Sequence, residues 1–195
     1  GSDFAGFYNH LGIPIADWGF GGESGMYHSQ YDDFAWMSRF GDPDFAYHAT
    51  AARIGAAMVL RLANAEVLPY DYVEFARTMQ RYVAPIERAM SLKGWSGPTL
   101  ELRSAIGRLE REATSFAAAR DSTLATSLAG ARFDETNVAL RDVERALTRP
   151  AGLRSRPWYR NLIYVADENN GYANMTFPSV NEAIRAGDER LVADE

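Results

Sequence analysis

After residue 44, apolar positions recur at intervals of three and four along most of the chain, a spacing that predicts one helix after another. Ala51, Ile54, Met58 and Leu62 share a face of a helix expected from Asp44 to about Ala63. Beyond Leu68-Pro69, the residues Phe75, Met79, Tyr82, Ile86 and Met90 form the face of a second helix, from about Asp71 to Lys93, where the internal Pro85 predicts a kink. The clearest helix starts near Thr99 and carries Leu102, Ile106, Leu109, Ala113 and Phe116; it is expected to end near Ala129-Gly130. A fourth is expected from Asp134, read as its cap, to Leu147 before Pro150. The 30 alanines of the chain support this helical reading through intrinsic propensity.

The two ends follow a different pattern. Ser2-Asp3 can cap a short helix from Phe4 to Leu11 that closes at Gly12, and Ile13 to Trp18 reads as a short strand with Pro14 near its start. Gly19, Gly21, Gly22 and Gly25 mark a loop that delivers Tyr27-His28-Ser29 to a short helix from Gln30 to Phe40. After Pro150 a loop leads into the apolar run Leu162-Ile163-Tyr164-Val165, an extended segment, and then into a turn at Asn169-Asn170-Gly171. A last helix is expected from about Val180 to the end at Glu195.

Composition narrows the class. With 195 residues, 47% of them apolar, the chain is long and hydrophobic enough to bury a core, and the absence of cysteine excludes a disulfide-stapled miniature fold. A net charge of -6 argues against nucleic acid or an anionic membrane surface as partner, since either needs a concentrated positive field. No stretch approaches the roughly 20 apolar residues of a membrane span, so a soluble chain is expected, in a compartment that the composition does not specify.

Candidate chemistry is sparse. The histidines His10, His28 and His48 stand in no short metal-ligand spacing, and without cysteine a zinc site would need carboxylates from afar. His28 is the best placed of them, because a glycine-rich loop exposes functional groups and Tyr27 beside it could donate a hydrogen bond to an oxyanion. Gly22-Glu23-Ser24-Gly25 falls short of a nucleophile elbow, and Gly19-Phe20-Gly21-Gly22 lacks the rest of a phosphate loop. Adjacent Asp32 and Asp33 diverge by about 100° on a helix and cannot work as a dyad. Arg149, Arg154, Arg156 and Arg160 are expected to pair with acids of neighbouring helices and tie down the irregular segment.

Several strings, in order, carry a family likeness: Gly1-Ser2-Asp3-Phe4, His10-Leu11-Gly12-Ile13-Pro14, Met26-Tyr27-His28-Ser29-Gln30-Tyr31-Asp32 and Phe40-Gly41-Asp42-Pro43-Asp44. They continue in Val67-Leu68-Pro69-Tyr70-Asp71-Tyr72, Arg156-Pro157-Trp158-Tyr159-Arg160-Asn161 and Gly171-Tyr172-Ala173. Together they resemble the C-terminal part of the glutamate carboxypeptidase II family, zinc metallopeptidases whose relatives include the transferrin receptors. The resemblance implies a mainly α fold: a short α/β remnant of a peptidase domain over residues 1–44, then a helical dimerisation domain over 45–195. It further implies that His28 is a zinc ligand, that Tyr27 contacts the substrate or its tetrahedral intermediate, and that Tyr172 helps bind the substrate's carboxylate. The remaining zinc ligands and the general base have no counterpart here, and a single histidine cannot hold a catalytic zinc. The chain alone is therefore expected to bind no cofactor, to be inactive, and to form a homodimer through its helical domain. Gly171 stands where glutamate-selective members carry lysine, and the loop from Trp18 to Gly25 holds no arginine, so glutamate selectivity is not implied. A non-catalytic, transferrin-receptor-like binding protein is the alternative on the same scaffold.

Overall fold

The computed structural model describes residues 2–22, 25–97, 99–126 and 132–195. Its helices are α1 (Phe34–Trp36), α2 (Ala46–Asn64), α3 (Tyr72–Leu92), α4 (Thr99–Ala125), α5 (Asp134–Ala146), α6 (Pro178–Ala186) and α7 (Glu189–Asp194); β1 (Tyr164–Ala166) and β2 (Asn174–Thr176) form one antiparallel ribbon. The fold is mainly α, as expected. Contacts divide the chain into two units, one of Gly1–Ile15 with Tyr70–Glu195 and one of Ala16–Pro69.

In the first unit, α3 and α4 are an antiparallel pair. Their cross-links descend one helix as they climb the other: Arg77 to Glu110, Gln80 to the Arg103 carbonyl, and Arg103 to Glu87. Asp71 caps α3 by accepting the Glu74 amide at 2.9 Å, and the helix runs on through Pro85 to Leu92. Its buried stripe of Ala76, Met79, Val83, Ile86 and Met90 meets Ile106 of α4 and Phe177, Ala183, Ile184 and Val192 from the C-terminal segment. Each large side chain in that core contributes about 1.5–3 kcal/mol relative to exposure. The expected end of α4, near Ala129-Gly130, lies outside the described residues. Asp134 sits in the first turn of α5 rather than at its cap, a position that Phe133 occupies without a side-chain bond.

The N-terminal segment belongs to this unit. Gly6–His10 forms a π-helical turn, entered without the side-chain cap expected of Ser2-Asp3. The Asn9 carbonyl accepts both the Arg160 and the Asn161 amides, at 2.8 and 2.9 Å. His10 stacks on Trp158 and donates from Nδ1 to its carbonyl at 2.7 Å. The strand expected from Ile13 to Trp18 does not form: the Ile13 amide donates to the Phe7 carbonyl, and no ladder partner exists for this stretch among the described residues.

The last expected helix is two. Gly187, at φ 76°, ends α6, and the Asp188 carboxylate then caps α7 through the Leu191 amide. In the second unit the expected helix from Gln30 begins only at Phe34, where Asp33 accepts the Trp36 amide at 2.8 Å, and it continues as a π-helical turn over Met37–Gly41. None of the side chains of α2 is buried, and Ile54, Val59, Leu60 and Leu62 are exposed.

Candidate functional site

The glycine-rich loop of the second unit delivers Tyr27 and His28 to the surface, as its composition predicts. His28 adopts a left-handed backbone, φ 60°, and its ring stacks on that of Tyr27 at 3.9 Å. The His28 amide lies 3.4 Å from Asp32 Oδ2, while Asp33 is spent on capping α1, so the two adjacent carboxylates serve different elements.

A cavity of about 820 Å³ opens beside Tyr27, walled by Phe20, Trp36, Phe40 and Tyr47. At its edge Asp42 and His48 form a pair that spacing alone does not reveal: one carboxylate oxygen accepts the His48 amide at 3.0 Å and its Nδ1–H at 2.7 Å. Desolvation pushes the Asp42 carboxyl up, but these hydrogen bonds outweigh it and hold the group below its ordinary range. The pair orders the first turn of α2, whose N-cap Phe45 is left-handed and offers no side-chain acceptor.

Tyr172 belongs to the first unit, in the connection from β1 to β2, with 64% of its surface exposed. Its amide donates to Asn170 Oδ1 at 3.1 Å, and Asp167 Oδ1 accepts the amides of Asn169 and Asn170. Asp167 is gripped in turn by Arg185 at 2.6 Å, and that guanidinium lowers its carboxyl to about 2.

Three of the four clustered arginines pair as expected, whereas Arg160 meets no acid among the described residues and its Nε is buried without a hydrogen-bond partner. Arg149 and Arg154 meet Glu195, and Arg156 meets Glu182. A second polar cluster went unseen in the sequence. Burial pushes up the Glu144 carboxyl and the hydroxyls of Tyr8 and Tyr72, and Tyr8 hydrogen-bonds to Glu144. Nothing in local spacing links residue 8 to residue 144.

Among the described residues, no three His, Asp or Glu side chains converge in a way that could hold a metal ion. His28 with its neighbour Asp32 does not make up the zinc-ligand set that the family resemblance implies. No described helix is long and apolar enough to cross a membrane.

These features define a mainly α-helical domain joined to a loop-rich, aromatic unit. Residues 99–195 match the transferrin receptor-like dimerisation domain. The chain is 37% identical to a protein of Arabidopsis thaliana named a probable glutamate carboxypeptidase, over 94% of this chain and 26% of that one. It is 27% identical to an aminopeptidase of Mus musculus, over 97% of this chain and 26% of the relative. It is also 25% identical to an inactive zinc metalloprotease of Schizosaccharomyces pombe, over 100% and 26%. The chain belongs to the glutamate carboxypeptidase-like proteins that carry a transferrin receptor-like dimerisation domain, and it spans about a quarter (26%) of the length of these relatives.

Proposed function

We propose that this chain is the dimerising part of a glutamate carboxypeptidase-like zinc exopeptidase and that by itself it does not hydrolyse peptides. The observation that carries the reading is the dimerisation-domain match over 99–195 on a long helix, α4, that buries only Ile106 and Ala113 among its described side chains. Residues 1–44 belong to the peptidase side and 45–195 to the helical domain. In the whole protein, His28 serves as a metal ligand, Tyr27 meets the substrate and Tyr172 meets its carboxylate. A second reading, a non-catalytic binding protein, draws support from the relative named inactive.

The test is the oligomeric state of the purified chain by sedimentation equilibrium. A dimer that Leu124→Asp or Val138→Asp, both at exposed apolar positions, converts to monomer supports the proposal. A strict monomer at high concentration refutes it.

A further inference from the structure

The connection between β1 and β2 carries an Asn-Gly pair, and this pair occurs once in the chain. Residues 168–174 are exposed. The Asn170 side chain is folded back along its own backbone, its Oδ1 accepting the Tyr172 amide at 3.1 Å and the Ala173 amide at 3.4 Å. The ring closed by the first of these bonds contains the Gly171 nitrogen, so the Asn170 carboxamide carbon is held on the same side as that nitrogen. The two donors also draw charge from Oδ1, the atom that becomes an oxyanion when Cγ is attacked. Gly171 adds no obstruction: it has no Cβ, and nothing lies within 4 Å of where one would stand.

We propose that Asn170 is a deamidation site of the folded protein. The Gly171 amide nitrogen attacks Asn170 Cγ and loses its proton, the side-chain nitrogen leaves as ammonia, and a cyclic imide remains. Water then opens the imide at either carbonyl, giving aspartate or isoaspartate. No oxidant, reductant or further reactant is needed. The product adds a negative charge next to Asp167 and Glu168, and in the isoaspartate form it inserts a methylene into the main chain. The connection is tied by the Ala173 amide on the Asn170 carbonyl at 3.0 Å and the Asp167 amide on the Ala173 carbonyl at 2.9 Å. A longer main chain at residue 170 cannot keep that geometry, and Tyr172 moves with it. The consequence for substrate rests on the role proposed above for Tyr172; the modification itself does not.

The experiment incubates the intact folded chain in mildly alkaline buffer at physiological temperature and maps peptides by mass spectrometry over time. Cleavage after Arg160 and Arg185 releases one fragment holding Asn161, Asn169, Asn170, Asn174 and Asn181, so four asparagines act as internal references. Acid-for-amide conversion is expected at Asn170 alone, with part of the product accepted by an isoaspartyl methyltransferase. Gly171→Ala is tolerated by the fold, since the backbone there is not left-handed and the space is open. It should slow the conversion roughly tenfold, because a Cβ spoils the near-attack geometry. An Asn170 that stays intact in the folded protein while the urea-unfolded chain converts would show that the turn protects it, and would overturn the proposal. Conversion spread evenly over the other asparagines would do the same.

Discussion

Arg156→Ala should be among the most damaging single substitutions in the helical unit. The Arg156 guanidinium reaches Glu182 on α6 through Nε at 3.0 Å and Nη2 at 2.5 Å, donates from Nη1 to the Ala166 carbonyl of β1 at 2.8 Å, and lies 4.6 Å from the centre of the Tyr159 ring. Both partners are largely withdrawn from solvent, with side-chain exposures of 18% and 9%. Truncation leaves the Glu182 carboxylate without its cation in a poorly hydrated position, and breaking a buried pair in this way costs about 3–5 kcal/mol. The hydrogen bond to Ala166 would add about 1 kcal/mol if the terms were independent. They share one side chain, so about 4 kcal/mol is the expected total. The assay is urea unfolding followed by far-ultraviolet circular dichroism, with an unchanged slope and a lowered midpoint as the signature of lost stability. The double variant Arg156→Met/Glu182→Leu removes the desolvated charge along with its partner and should recover most of the loss. A loss below about 1 kcal/mol for the single variant, or a double variant no better than the single, would refute the claim that the cost lies in an unpaired buried charge.

Four further outcomes are expected. Burial raises the Glu144 carboxyl above its ordinary value of 4.5, an effect that the Tyr8 hydrogen bond only partly offsets, so its contribution to stability is full below that value and is lost as pH rises through the folded value; Glu144→Gln should flatten this part of a melting-temperature profile and raise the melting temperature at neutral pH. Asp167, held at about 2 by Arg185, contributes stability above the ordinary 3.8 that fades as pH falls toward 2; a carboxyl resonance titrating near 3.8 in the native protein would contradict the grip. Gly152→Ala meets two obstacles, a φ of 72° that costs a side chain about 1–2 kcal/mol and a Cβ placed 2.0 Å from the Pro157 carbonyl oxygen, and should prevent native folding as read by circular dichroism. Zinc calorimetry on metal-stripped protein should show no binding that His28→Ala abolishes; tight, His28-dependent binding would reveal ligands outside the clusters described.

Local chemistry determined much of this protein. The three-and-four spacing of apolar side chains places α3 to α5, because a helix with an apolar stripe has few other ways to leave water; the same spacing marks α2, although none of its side chains is buried. Asp71 stops the chain before α3 because its short carboxylate reaches an orphan amide one turn on, and Asp33 and Asp188 do the same before α1 and α7. Gly187 divides what spacing alone suggests is a single C-terminal helix, since glycine tolerates the left-handed cap. The candidate residues Tyr27, His28 and Tyr172 emerge as a family likeness, and the structure adds their settings: a left-handed, ring-stacked histidine and a tyrosine held by an asparagine side chain. Tertiary structure decided the rest. Whether Ile13 to Trp18 becomes a strand depends on a partner ladder that no local pattern supplies. Which acid each arginine meets, and that Tyr8 and Glu144 share one buried cluster while Asn9 anchors residues 160 and 161, follows from contacts between positions far apart in the chain. Hydrogen bonds and ion pairs act over a few ångströms of space, and only the packing of the helices brings such distant residues within that reach.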